Sequence, residues 1–132
     1  MVVLDTNIII DHLRQRPGVD TLLKKVVRDQ SDKNLALSVL SIQELYEGKS
    51  TREHPIEQLL SATIASLRIL PYTFETAQHA GELARDLGRP ISFPDAAIAA
   101  TAILNEASLF TLNQKDFEGI DGLDLLKNER QG

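Results

Sequence analysis

Four acidic residues stand where α/β folds keep their chemistry. Asp5 follows the apolar run Val2-Val3-Leu4, and Glu44 opens the segment after a second apolar run. Asp95 lies in the first turn of the most apolar stretch of the chain, and Asp116 comes shortly after a fourth apolar run. Such carboxylates are hard oxygen ligands. With no cysteine, and with His12, His54 and His79 at no ligand spacing, the set favours Mg2+ or Mn2+ over zinc. An ion held this way would lower the pKa of a bound water and stabilise charge on a phosphate. Glu44 or Asp116, if not fully committed to metal, is left to orient that water or to take its proton.

Each acid also has a plain structural explanation. Asp5, Thr6 and Asn7 all favour helix caps. Glu44 and Asp95 sit three residues after Ser41 and Ser92, the spacing of a capping box, and Asp116 suits a turn. Four acids on one edge of a sheet are harder to explain this way. Two unit charges about 4 Å apart repel by about 4 kcal/mol at an effective dielectric near 20, so a cluster needs protons or a cation. No GxSxG, P-loop or GxGxxG stretch offers another chemistry.

The elements that would position these residues alternate between strand and helix patterns, which predicts an α/β layered fold with a mostly parallel sheet. Val2 to Leu4 reads as a strand buried on both faces, and residues 7–14 as a short helix broken by Pro17 and Gly18. Val19, Leu22, Leu23, Val26 and Val27 predict an amphipathic helix from 19 to about 32–34. Strands follow at 35–39, 67–70 and 108–111, with a short edge strand at 124–126. Ser41 opens a helix stopped near Gly48, residues 50–55 form a polar loop containing His54, and Pro55 opens the next helix. Thr73 caps a helix over 74–87 with Gly88 as its left-handed stop. Ser92 caps a helix, apolar on nearly every side, that runs to about Asn105. A polar loop spans 113–116, and 127–132 is read as a frayed end.

At 132 residues the chain is read as one domain, 1–132, with a core of useful size. No apolar run approaches the roughly 20 residues of a membrane span, and Met1 leads almost directly into the first strand, so the expected home is the cytoplasm. The net charge of −5 argues against non-specific nucleic-acid binding, although carboxylates around an ion count in that total while being neutralised by it.

The pieces LDTNIII, LSVLSIQELYEG, GRPISFPDAAIAATA and LFTLNQKDF, in this order over nearly the whole chain, resemble the PIN-domain ribonucleases. More narrowly they resemble the VapC toxins of bacterial and archaeal toxin–antitoxin pairs. The resemblance implies a PIN-like three-layer fold, a parallel sheet of about five strands flanked by helices. It implies an acidic pocket that binds Mg2+ or Mn2+ and hydrolyses RNA phosphodiester bonds. Matched motif by motif, Asp5, Glu44, Asp95 and Asp116 become the catalytic and metal-binding acids. Thr6, Asn7, Thr111 and Asn113 become supports of the ligands or of substrate. One departure stands out: many relatives carry arginine where this chain has Leu112, which leaves Lys115 as the nearest base for RNA phosphate. The resemblance also implies a homodimer and a cognate antitoxin lying along a groove made by the helices at 7–14 and 19–30.

Other readings fit less well. A haloacid-dehalogenase-type phosphatase needs a second Asp two residues after the first, where this chain has Asn7. A receiver domain needs an Asp after the third strand, which here ends Leu70-Pro71-Tyr72. The remaining alternative is a catalytically silent PIN-like module that binds protein or RNA.

Overall fold

The computed structural model describes residues 1–31 and 34–127. Strands β1 (Val2–Leu4), β2 (Leu35–Ser38), β3 (Arg68–Leu70), β4 (Ser108–Phe110) and β5 (Asp124–Leu125) form one sheet in the order β3-β2-β1-β4-β5. Every pairing is parallel. Six helices among the described residues surround it: α1 (Thr6–Arg14), α2 (Leu22–Gln30), α3 (Val39–Glu47), α4 (His54–Ala65), α5 (Phe74–Asp86) and α6 (Phe93–Leu104). The α/β three-layer architecture expected from the sequence is present.

The strand period of two divides the core. Val2, Leu4, Leu35, Leu37 and Phe110 pack on one face against Ile8 and Ile9 of α1, Leu22, Leu23 and Val26 of α2, and Leu45 and Leu60. Val3, Ala36 and Leu109 pack on the other face against Ile98, Ala99 and Ala102 of α6. Small side chains on both Ala36 and the α6 alanines let that helix lie close to the sheet. A further layer, with Ala80 of α5 against Ala96 and Ala100, covers the outer side of α6. This explains a helix that is apolar on nearly every side: from Ala96 to Ala102 every residue is buried.

Several boundaries differ from expectation. The helix expected from Val19 starts at Leu22, because Thr21 is extended and its hydroxyl accepts the Lys24 N–H. It ends at Gln30, with Ser31 at φ 61; of the expected end at 32–34, residues 32 and 33 lie outside the described residues. Ser38, not Ser41, caps α3: it is extended at ψ 142 and its hydroxyl accepts the Leu40 N–H. The strand therefore stops a residue early and Val39 is helical. The loop expected at 50–55 contains a 3-10 turn, Lys49–Arg52, and His54 is the first residue of α4. A second 3-10 turn, Gln114–Phe117, occupies the polar loop after β4 and buries Phe117. Gly88 follows α5 at φ +82, the left-handed conformation expected of it. Of the expected frayed end, residues 128–132 lie outside the described residues.

Candidate active site at the carboxyl edge of the sheet

The chain leaves β1 toward β2 and β3, then returns to build β4 on the other side of β1. That reversal makes a crevice between β1 and β4 beyond their carboxyl ends, the ligand position of open α/β sheets. Register fixes what lies there. Leu4 pairs with Leu37 and with Phe110, so Asp5, Ser38 and Thr111 are the next residues of three adjacent chains.

Asp5 is 6% exposed. Its backbone N–H donates to the Phe110 carbonyl at 2.9 Å, extending the β1–β4 ladder by one bond. Its side chain serves two purposes at once. Oδ1 accepts the Thr6 N–H at 2.8 Å, as a helix cap does, and Oδ2 accepts the Thr111 hydroxyl at 2.7 Å. The cap reading is thus correct and incomplete. Burial pushes the Asp5 carboxyl up to about 6; the Thr111 and Thr6 hydrogen bonds oppose the rise, and the charges of Asp95 and Glu44 add to it.

Glu44 owes its position to helix geometry. Ser41 and Glu44 are three apart inside α3 and so share a face, directed at α1. Thr6 Oγ1 donates to Glu44 Oε1 at 2.7 Å and lies 2.8 Å from Ser41 Oγ. The expected capping box is absent at Ser41, so this acid is engaged across helices and not at its own helix terminus. Ser41, fully buried, is a site partner that the sequence suggested only as a cap. The signal was available in its spacing from Glu44.

Asp95 occupies the first turn of α6, where its N–H donates to Ser92 Oγ at 3.2 Å. Partial burial raises its carboxyl above the ordinary range; a Ser92 side-chain hydrogen bond opposes this and the Asp116 charge adds to it. Asp116 lies in the 3-10 turn after β4 and is exposed. Arg89 holds this turn, donating from Nη2 to the carbonyls of Asp116 at 3.2 Å and Glu118 at 2.5 Å. Sequence reasoning missed Arg89 in this role, since its partners are backbone carbonyls far along the chain.

The supporting residues knit β1 to the β4 loop. Asn7 Oδ1 accepts the Leu112 N–H at 3.2 Å, and its Nδ2 lies 3.4 Å from Thr111 Oγ1. Thr111 Oγ1 also accepts the Asn113 N–H at 3.0 Å. Lys115 is exposed in the same loop, and Leu112 packs against the core. The fields of the four acids link in a chain, Glu44 to Asp5 to Asp95 to Asp116. Among the described residues no group of three histidine or acidic side chains is placed as a ready ligand set. His12 and His79 stand on α1 and α5, and His12 Nδ1 lies 2.9 Å from Thr21 Oγ1, a packing contact away from the acids.

Asp5 is thus a buried carboxylate at a topological switch point, the ligand position of open α/β sheets, and feels the charges of Asp95 and Glu44. Residues 2–123 match the PIN domain family, and the chain belongs to it. Ribonuclease VapC19 of Mycobacterium tuberculosis is 35% identical over 121 residues, covering 89% of this chain and 92% of that protein. The tRNA(fMet)-specific endonuclease VapC of Shigella flexneri is 27% identical over 129 residues, covering 92% of each. Among solved structures, VapBC2 from Rickettsia felis bound to a DNA fragment from its promoter superposes with a TM-score of 0.82 at 27% identity. That match covers 96% of this chain and 98% of that one.

Proposed function

We propose that this protein is the toxin of a type II toxin–antitoxin pair, an endoribonuclease that hydrolyses RNA phosphodiester bonds with a carboxylate-bound Mg2+ or Mn2+. The observation that carries the reading is Asp5: buried, tied to β4 through Thr111, and within the fields of Glu44 and Asp95. Names borne by relatives, ribonuclease and tRNA-specific endonuclease, support the same reaction class.

The donor set fits a hard divalent cation. Its members are carboxylate oxygens, and burial makes the charged form of Asp5 costly unless an opposite charge compensates it. Asp5 and Asp95, with Glu44 and Asp116 beside them, would hold the ion. When bound, such an ion polarises a phosphate oxygen and lowers the pKa of a water. Thr111 and the Thr6 N–H fix the orientation of the Asp5 carboxyl, one donor on each oxygen. Thr6 holds one oxygen of Glu44, leaving the other to orient the attacking water or to accept its proton. Asn7, through Leu112, fixes the loop that carries Asn113, Lys115 and Asp116 at the crevice rim. In the absence of an arginine at 112, Lys115 is the base assigned to RNA phosphate.

The partner assigned is a cognate antitoxin, in keeping with the toxin–antitoxin and VapBC complexes of similar fold. Besides the groove expected along α1 and α2, where His12, Leu23 and Val27 line a cavity of about 370 Å³, a second one is available to it. A cavity of about 450 Å³ opens where Ile10, Leu13 and Arg14 of α1 face Leu45 of α3 and Ile56 of α4, with Glu44 in its wall. An antitoxin segment seated there would reach an acid of the site. In this reading the protein works in the cytoplasm as a homodimer; no helix among the described residues is long and apolar enough to cross a membrane.

The test is RNA cleavage by antitoxin-free protein in Mg2+ or Mn2+. Cleavage that EDTA abolishes and added antitoxin suppresses supports the assignment. Cleavage indifferent to EDTA refutes it.

A further inference from the structure

We propose that Arg14 and Lys49 form a phosphate subsite for RNA, in the cleft that opens beside Glu44 between α1, α3 and α4. This rests on the ribonuclease reading and specifies the path of its substrate.

Both cations line the cavity of about 450 Å³ whose wall includes Glu44. Ile10, Leu13, Leu45 and Ile56 supply its apolar part. Helix geometry orders the cleft. Thr6, Ile10 and Arg14 stand at i, i+4 and i+8 on one face of α1. The Thr6 hydroxyl donates to Glu44 Oε1 at 2.7 Å, so the carboxylate sits at the start of that face. Arg14 ends it, about 12 Å further along the axis at 1.5 Å per residue. Along α3 the same order recurs: Glu44, then Gly48 about one turn on, then Lys49. The cleft therefore runs from an acid of the site, over apolar side chains, to two cations.

Those cations are uncommitted. Among the described residues the ion pairs are Arg28–Asp20 at 2.8 Å and Arg85–Asp86 at 2.7 Å. Neither Arg14 nor Lys49 forms one, although Glu53 lines the same cleft. The cleft at His12, Leu23 and Val27 differs in this respect. Its Arg28 is held by Asp20, and its Lys24 donates to the Val19 carbonyl at 3.0 Å. That cleft suits an apolar segment, whereas the one beside Glu44 offers free positive charge in a chain of net charge −5. The negative end of the α1 dipole explains a cation at Arg14. It gives no reason for a second one, at Lys49, from another element.

Strand order supplies the path. Lys115 lies in the loop after β4, on one side of Asp5, and Glu44 follows β2 on the other. An RNA strand that passes Lys115 and lies across Asp5 enters the cleft over Glu44. There a phosphate meets Arg14 and Lys49, and the apolar side chains accept a ribose or base. Such contacts position the strand and read no sequence.

The experiment is cleavage of a labelled single-stranded RNA and of tRNA in Mg2+, at several salt concentrations. The proteins are wild type, Arg14→Gln, Lys49→Gln and the charge-keeping Arg14→Lys and Lys49→Arg. Each glutamine variant is expected to raise KM about three- to fivefold at low salt, with kcat within about twofold. Each also lowers the slope of log KM against log salt by about 0.7, the share of one phosphate contact on a single strand. The charge-keeping variants retain the wild-type KM within about twofold, since a phosphate accepts either cation. Arg68→Gln, an equal change of net charge at the amino end of β3, leaves KM and slope unchanged. Glutamine variants with the wild-type KM and slope, from a protein that cleaves RNA, overturn the subsite alone. Unchanged KM together with lost suppression by added antitoxin assigns the cleft to the antitoxin, and also overturns it. Failure of wild type to cleave any RNA overturns the ribonuclease reading and the subsite with it.

Discussion

The Thr111 hydroxyl donates a 2.7 Å hydrogen bond to Asp5 Oδ2, joining the ends of two adjacent strands 106 residues apart in sequence. Both residues are buried. The bond aims Asp5 and favours its charged form. Thr111→Val keeps the shape and removes the donor. It is expected to raise the Asp5 pKa further and to cost about 1–3 kcal/mol for the unsatisfied oxygen. Denaturant unfolding checks the stability loss, and the acid limb of the cleavage–pH profile moves to higher pH.

Asp5 itself makes the metal-free protein pH-sensitive. Its folded pKa of about 6 lies above the usual carboxylate value, so the folded state binds the proton more tightly than the unfolded state. The stabilisation from that proton is complete below about pH 4 and is lost as pH rises through about 6. The raised pKa of Asp95 acts in the same direction. In EDTA at pH 7, Asp5→Asn is expected to be more stable than wild type by about 2–3 kcal/mol, from roughly two pKa units at 1.36 kcal/mol each. At pH 4 the difference vanishes. Thermal melts at the two pH values check this, and equal stabilities at pH 7 would contradict it.

Ser38, the cap of α3, and Thr6, in α1, separate cap from site. Ser38→Ala removes the cap and is expected to cost about 1 kcal/mol of stability with little change in activity. Thr6→Val instead removes the donor that holds Glu44 and is expected to lower kcat while α3 persists. Circular-dichroism melts and cleavage rates measured on both variants distinguish the roles.

Arg89 reaches Asp116 only through backbone. Arg89→Ala is expected to loosen the Asp116 turn and reduce kcat by about 10-fold or more, since small misplacements near a reacting group can cost about 100-fold. Single-turnover cleavage checks it. Arg89→Lys, which keeps one cationic donor nitrogen, should recover part of the rate.

Much of this arrangement was legible in the chain. The apolar runs at 2–4 and 35–37 give central parallel strands because no polar residue interrupts them. The parallel sheet places Asp5 and Thr111 at one edge as a matter of topology. Less legible were features decided by one residue of backbone. Both Ser38 and Ser41 can cap, and only the point where β2 loses its partners selects Ser38. Once Ser38 is the cap, Ser41 turns inward and Glu44 leaves the capping box for Thr6. The α1 and α2 apolar faces share one core, and two clefts stay open beside them, one at His12, Leu23 and Val27 and one where Ile10 and Leu13 face α3 and α4. Arg89 left no local pattern, because its bonds to carbonyls have no residue-type signature.

In the proposed mechanism Asp5, Glu44, Asp95 and Asp116 serve a divalent-metal site at the sheet edge. Calorimetric titration of Mn2+ into antitoxin-free wild type, Asp5→Asn and Asp95→Asn tests it most directly. Saturable binding by wild type, abolished or weakened by at least about tenfold in both variants, is the result expected. Binding of equal affinity in all three proteins, or none in wild type, would contradict it.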